Sequence, residues 1–192
     1  MFWKGEMIQR LSLALILALG LATATPAQAQ NVSCAAFDDC LRSTLRSTVP
    51  LDKAVFASKG IQLWTKAIPV RDLYNLLMLR ASALIQMHID AANETFLDQA
   101  TADYQQMLEL RPDDFLPRTG LGRIAELRGQ VAAAQALYTE AFQSGQFLAQ
   151  MERADFRLRR KEGAGALEDL EAAVLTVVKL QALERDIHPQ HL

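Results

Sequence analysis

The chain has 192 residues, of which 51% are hydrophobic and 22% are charged, and its formal net charge is −2. This length suits about one domain, and the hydrophobic share is ordinary for a protein with a packed core. A charge so close to neutral does not provide the basic surface that nucleic-acid binding requires. Composition and charge therefore favour a globular protein without a nucleic-acid partner.

The first thirty residues have the pattern of an export signal. Lys4 and Arg10 precede an apolar run from Leu11 to Ala22, and Ala27-Gln28-Ala29 has the small residues of a cleavage site. Translation from Met7 would leave a sufficient signal as well. The apolar run is shorter than the roughly 20 residues that span a bilayer, which favours cleavage over a retained anchor. We expect a signal peptide over residues 1–29 and a periplasmic or secreted mature protein that is not integral to a membrane.

Both cysteines, Cys34 and Cys40, follow the predicted cleavage site. Proteins of oxidising compartments usually pair their cysteines, and the C-x-x-C spacing of redox sites is absent. Residues six apart on one continuous helix point to different faces. A bond between these two therefore requires Ser33 to Phe37 to fold back before the next helix begins. We expect a structural disulfide in an N-terminal segment, residues 30–50.

Apolar residues at helical spacing predict three helices in the next part of the chain. The first covers Asp38–Thr48 and the second Asp52–Ile68, each ended by a proline. The dense apolar segment Val70–Gln86 predicts the third. The segment that follows, Ile89–Asp98, fits either a longer connection or an extension of that helix.

Three pairs of positions in the middle of the chain are separated by the same interval of 34 residues. They are Ala100 and Ala134, Tyr104 and Tyr138, and Met107 and Ala141. Small residues at such positions allow two antiparallel helices to approach closely, and aromatic residues fill the gaps between helices. The same pattern of small and large residues therefore predicts the same helix packing in both copies.

The ends of the helices around the second copy can also be predicted. Asp113 or Asp114 suits the N-cap of a helix that Gly129 ends. The partner helix runs from Val131 to about Gln143, and Ser144-Gly145 forms the turn after it.

A third copy follows 32 residues after the second, at Ala166, Leu170 and Ala173. The helix before it carries an apolar stripe, which predicts a buried face. That stripe consists of Phe147, Met151, Ala154 and Leu158. Gly163 and Gly165 are predicted to lie in the turn, and the closing helix runs from Ala166 to about Arg185.

These copies resemble tetratricopeptide (TPR) repeats, a family whose period is 34 residues. The match covers roughly Leu51 to Leu180 and is strongest at Ala100–Pro112 and Leu121–Phe142. The resemblance implies an all-α fold, a right-handed solenoid of antiparallel helix pairs. Its three to four repeats would fill residues 51–185, and a flexible tail, residues 186–192, would follow.

The resemblance also implies a concave groove, lined by the first helix of each pair, that binds a segment of another protein. The residues that match groove positions are Thr119, Arg123, Glu126, Asp155 and Arg159. We therefore expect a non-catalytic adaptor or scaffold without cofactor or metal. The alternative is a small-molecule carrier or an envelope enzyme that uses the same groove. The chain has no Gly-rich phosphate loop, G-x-S-x-G elbow or H-E-x-x-H motif.

Two further surfaces are predicted near the end of the chain. Arg153, Arg157 and Arg160 share one helical face, which would either grip an anionic group or form a solvated face opposite the apolar stripe, and we favour the solvated face.

On the closing helix, five apolar residues are predicted to pack inward. They are Ala166, Leu170, Ala173, Val174 and Val177. This leaves Leu175, Val178 and Ala182 on another face, without a following polar helix that would cap it. Either the N-terminal segment or another chain would cover these three residues, and we favour another chain, with a homodimer as one such arrangement.

Overall fold

The computed structural model describes residues 33–187, with side chains as far as Leu183. The predicted signal peptide, residues 1–29, lies outside this part, as do residues 188–192 of the predicted tail.

The described chain is all-α, which confirms the predicted class. Residues 33–187 form eight helices and no strand. The helices are α1 (Phe37–Arg46), α2 (Pro50–Leu63), α3 (Val70–Ala91), α4 (Glu94–Leu110), α5 (Phe115–Leu127), α6 (Val131–Phe142), α7 (Phe147–Arg159) and α8 (Gly163–Ile187). None of them is long and apolar enough to cross a membrane.

Each helix packs against the helix that follows it, and the pairs α3/α4, α5/α6 and α7/α8 have the most extensive contacts. Contacts also join alternate helices, from α1 to α3, from α3 to α5 and from α5 to α7. The first helices of successive pairs therefore lie side by side.

A disulfide joins Cys34 to Cys40, as predicted. The chain turns back before α1 begins at Phe37, which brings the two Cα atoms to 5.1 Å from each other. Cys40 is fully buried. It lies opposite Gly60 of α2, where an added Cβ would be 3.3 Å from the Cβ of Cys40. The bond therefore secures α1 where α2 approaches it closely.

The predicted bounds of the second helix are wrong at its carboxyl end. α2 ends at Leu63 rather than at Ile68, because Trp64 takes an extended conformation, with ψ 137°. The Trp64 side chain then packs on the cores that α3 shares with its neighbours. At its start, Pro50 occupies the first helical turn, where its missing N–H costs no hydrogen bond.

The largest apolar core lies between α3 and α4. It includes Leu73, Leu77, Leu84, Leu97, Ala100, Tyr104 and Met107, all of them buried. The segment Ile89–Asp98 matches neither alternative as a whole, since α3 extends only to Ala91 and α4 already begins at Glu94. Ala92 then takes a left-handed conformation with φ 51°, and the Asn93 side chain caps α4 by accepting from the Thr95 amide at 3.0 Å.

The predicted ends of α5 and α6 are confirmed. The Asp114 carboxylate accepts a hydrogen bond from the Leu116 amide at 3.0 Å and so caps α5. Gly129 and Gly145, with φ of 71° and 69°, follow α5 and α6 respectively. A residue with a side chain would be strained at either position.

The predicted buried stripe of α7 is wrong. Phe147, Met151 and Leu158 are 38%, 43% and 52% exposed, and Ala154 alone of the four is buried. Phe156, outside the predicted stripe, is buried instead. α7 is therefore rotated about its axis relative to the orientation that hydrophobicity alone predicts.

A buried carboxylate explains this rotation. Arg153 donates to both carboxylate oxygens of Asp169 on α8, at 3.0 and 2.6 Å, and Arg157 donates to one of them at 2.9 Å. Asp169 is 1% exposed, and a buried charge needs partners of opposite charge. The prediction of a solvated basic face is thus wrong for Arg153 and Arg157, whereas Arg160 pairs with Glu162 at the surface.

The turn before α8 also differs from the prediction. Gly163 and Gly165 lie in the first turn of α8, and Lys161 forms the preceding turn with φ 63°. An added Cβ at Gly165 would lie 3.2 Å from the guanidinium carbon of Arg157. The small residue leaves room for Arg157, which donates to the Gly165 carbonyl at 2.7 Å.

Candidate binding groove

Four of the five predicted groove residues meet in one ion-pair cluster between α5 and α7. Arg159 donates to both carboxylate oxygens of Glu126 at 2.7 and 2.8 Å, and Arg123 donates to Glu126 at 3.0 Å. Arg159 also pairs with Asp155. We refer to Arg123, Glu126, Asp155 and Arg159 as the ion-pair cluster.

The opposite charges within the cluster largely neutralise one another. Burial by itself raises the pKa of Glu126, but hydrogen bonds from Arg159 and Arg123 outweigh it and hold that pKa below its ordinary value. The bond to Glu126 likewise raises the pKa of Arg159. Because both arginines are partly exposed, solvent screens these pairs. The main effect of the cluster is therefore to set the position of α7 against α5.

A depression of about 290 Å³ lies beside the cluster. It is lined by Met78, Ser82 and Ile85 of α3, Tyr104 of α4, Leu116, Thr119, Gly120 and Arg123 of α5, and Glu152 of α7. Thr119, the fifth predicted residue, is buried and donates its hydroxyl to the Leu116 carbonyl at 2.8 Å. The depression thus extends across the first helices of three successive pairs.

Two tyrosines from the second helices pack against glycines of α5. Tyr104 of α4 lies against Gly120, where an added Cβ would be 2.6 Å from its ring carbon Cε1. Tyr138 of α6 lies against Gly122, where the corresponding distance to Cδ2 is 3.2 Å. Burial raises the pKa of both phenols, so both remain neutral. The 34-residue interval therefore places equivalent rings on the two sides of α5.

Sequence reasoning missed Glu152. The residue is exposed, but neighbouring atoms crowd its carboxyl group, and this burial, followed by the nearby Asp155 carboxylate, raises its pKa. The positive charges of Arg159 and Arg123 act to lower that pKa, but neither arginine donates a hydrogen bond to Glu152 in the described part of the chain. A signal was available, because Glu152 precedes Asp155 by three positions and so shares its helical face.

The predicted interface residues of α8 do not line this depression. Leu175, Val178 and Ala182 are exposed, as predicted. Val174, predicted to pack inward, is exposed as well, which corrects that prediction. That another chain covers these residues stays a prediction.

Within residues 33–187, no group of three or more His, Cys, Asp or Glu side chains could hold a metal ion. Tyr138 is fully buried and stacks on Phe156, with ring centroids 4.8 Å apart. Its hydroxyl has no hydrogen-bond partner in the described part of the chain.

Comparisons with known proteins assign no family to the chain. No family model matches it, and no curated protein matches it. Among solved structures, it is similar to a chain titled "MamA MSR-1 C2", with a TM-score of 0.37 and 15% sequence identity. That similarity covers 74% of this chain and 94% of the other.

Proposed function

We propose that this protein is a non-catalytic interaction module that binds a segment of another protein in the groove between its first helices. The observation that carries the proposal is the depression beside the ion-pair cluster, which draws residues from α3, α5 and α7. A surface formed by several successive helices suits an extended or helical polypeptide. The protein acts as an adaptor or scaffold.

The contact pattern supports a TPR-like solenoid as the fold behind this function. The pairing of consecutive helices and the contacts between alternate helices fit a stack of helix pairs, each touching its neighbours. The equivalent positions of Tyr104 and Tyr138, one repeat apart, fit the same arrangement. The solenoid is right-handed and contains three to four repeats.

The groove is less suited to the alternative, a small-molecule carrier or an envelope enzyme. Sites for small ligands are clefts or cavities that bury most of the ligand. The depression is shallow by comparison, since two of its lining residues, Ser82 and Glu152, are exposed.

We further propose that the protein works in the periplasm or outside the cell after cleavage of residues 1–29. The disulfide supports this location, because such bonds persist in oxidising compartments. N-terminal sequencing of the protein from its native host tests the cleavage, and a mature chain that retains Lys4 or Arg10 would contradict it.

The binding function is tested by affinity capture from the native cell envelope, read by mass spectrometry. Ser82→Trp fills the depression from an exposed position of α3. Gln105→Trp adds the same side chain at an exposed position of α4 that does not line the depression. We expect the native protein and Gln105→Trp to retain the same partner and Ser82→Trp to lose it. Equal capture by all three would exclude the groove as the binding site.

A further inference from the structure

The charges around the depression do not balance. In the ion-pair cluster, two arginines face two carboxylates, and each of the four residues has a partner. Glu152 adds a third carboxylate, and no ion pair or hydrogen bond holds it in the described part of the chain. The two arginines are already paired with Glu126 and Asp155, so the charge of Glu152 is not neutralised. The groove therefore has a net negative charge.

The other side of the depression is apolar. Met78 and Ile85 of α3 and Leu116 of α5 line it, together with the Tyr104 ring. Apolar side chains that leave water on binding gain free energy in proportion to the apolar area that they bury. The wall therefore favours an apolar side chain, and the carboxylate beside it favours a cation.

We propose that the groove binds a polypeptide segment that places a lysine or arginine against Glu152 and a neighbouring apolar side chain in the depression. This inference rests on the proposed function and adds the chemistry of the partner. A cation would replace the solvation that crowding takes from the Glu152 carboxylate. An acidic segment would face this unpaired carboxylate and find the cluster's arginines already engaged, so the groove discriminates against it.

A polypeptide fits this surface better than a free amine. A small amine would contact the carboxylate and leave the apolar wall of α3 exposed. A polypeptide occupies both at once, and the two contacts then add within a single binding event.

The first experiment selects ligands without assuming a sequence. A random dodecapeptide library displayed on phage is panned against immobilised protein of residues 30–192 and counter-selected on Ser82→Trp. We expect the enriched peptides to carry a lysine or arginine within two residues of a large apolar side chain.

The second experiment tests the contact itself. The best peptide and its analogue with norleucine in place of the basic residue are titrated against native protein, Glu152→Gln and Glu109→Gln by fluorescence anisotropy. Glu109, an exposed carboxylate of α4 outside the depression, is the matched control. Because Glu152 is exposed, solvent screens this contact, and its loss should weaken binding about two- to fivefold. We expect the norleucine peptide to bind more weakly than the basic peptide to native protein and to Glu109→Gln. On Glu152→Gln the two peptides should bind equally, so that the change in the peptide and the change at Glu152 are non-additive.

The outcomes separate the two proposals. Peptides that need the groove but carry no basic residue, or additive losses for Glu152→Gln and norleucine, would overturn the partner chemistry and leave the proposed function intact. Nα-acetyl-lysine amide binding as tightly as the peptide would reduce the site to one for a free cation. Failure to enrich any peptide, or equal binding to Ser82→Trp, would overturn the proposed function and this inference together.

Discussion

The helix pairs α3/α4 and α7/α8 both bury an aspartate, but the surroundings differ. In α3/α4, Asp103 accepts hydrogen bonds from Arg80 at 2.9 and 2.5 Å, within the largest apolar core. In α7/α8, Asp169 accepts three hydrogen bonds from Arg153 and Arg157. The buried apolar residues of α8, among those whose side chains are described, are alanines.

The comparison shows how the protein compensates for a thin core. Large apolar side chains already hold α3 against α4. The ion pair between Arg80 and Asp103 therefore mainly fixes how the two helices are oriented. The alanines of α7 and α8 bury little area, so more of the contact between these helices depends on Asp169. Buried ion pairs cost desolvation and add little net stability, but they fix one register and are costly to break from one side.

The largest expected effect is the loss of the Asp169 carboxylate. Asp169→Ala leaves the buried charges of Arg153 and Arg157 without a carboxylate and should lower the free energy of unfolding by about 3–5 kcal/mol. Asp103→Ala should cost less, because Arg80, at 24% side-chain exposure, reaches solvent more easily than Arg153, at 13%. Guanidinium unfolding followed by circular dichroism measures both. A larger loss for Asp103→Ala would reverse the comparison.

The disulfide gives the amino-terminal end a constraint of a different kind. Replacing Cys34 and Cys40 by serine removes a short closed loop, which should cost about 2 kcal/mol in the chain-entropy account. The same unfolding measurement applies, with Asp169→Ala as the reference for the opposite end. Thiol titration of the denatured, unreduced protein should find no free cysteine, and two titratable thiols would show that the bond is not formed.

Two glycines of α5, the helix that follows the α3/α4 pair, lie against tyrosine rings of α4 and α6. Gly120→Ala forces a methyl group against the Tyr104 ring and should cost about 1–3 kcal/mol. Gly122→Ala brings a methyl group to 3.2 Å from the Tyr138 ring, so the ring must shift by a few tenths of an ångström, and the better helix propensity of alanine offsets part of that cost. We expect the Gly120 variant to melt at the lower temperature. Equal melting temperatures would mean that the two rings yield equally.

The smallest expected effect on stability belongs to the exposed face of α8. Val178 is 51% exposed, so Val178→Glu should change the free energy of unfolding by less than about 0.5 kcal/mol. If another copy covers Leu175, Val178 and Ala182, the same substitution should convert a dimer to a monomer in analytical ultracentrifugation. Native protein that sediments as a monomer would contradict self-association.

Much of the fold follows from residue spacing. The positions equivalent to Ala100 and Tyr104 predicted α4 and α6, and Asp114 and Gly129 predicted the ends of α5, because caps and small residues act locally. Four of the predicted groove residues also meet, because helical spacing puts Arg123 and Glu126 on one face of α5 and Asp155 and Arg159 on one face of α7.

The orientation of α7 was not predicted, because it depends on a charge in another helix. Hydrophobicity placed Met151 and Leu158 inside, whereas Asp169 draws Arg153 and Arg157 inward. A sequence signal for this did exist. Asp169 follows Ala166 by the same three positions that separate Asp103 from Ala100, and the middle copy has Leu137 there.

The position of Trp64 allows one end of the protein to be followed separately by fluorescence. Trp64 packs on the cores of α2 and α3 and is the one tryptophan of a chain cleaved after Ala29. Intrinsic emission excited at the indole band therefore reports on the amino-terminal end, whereas ellipticity averages over all helices. If the alanine-packed α7/α8 loosens first, the two signals will follow different curves on heating, and the transition will not be two-state.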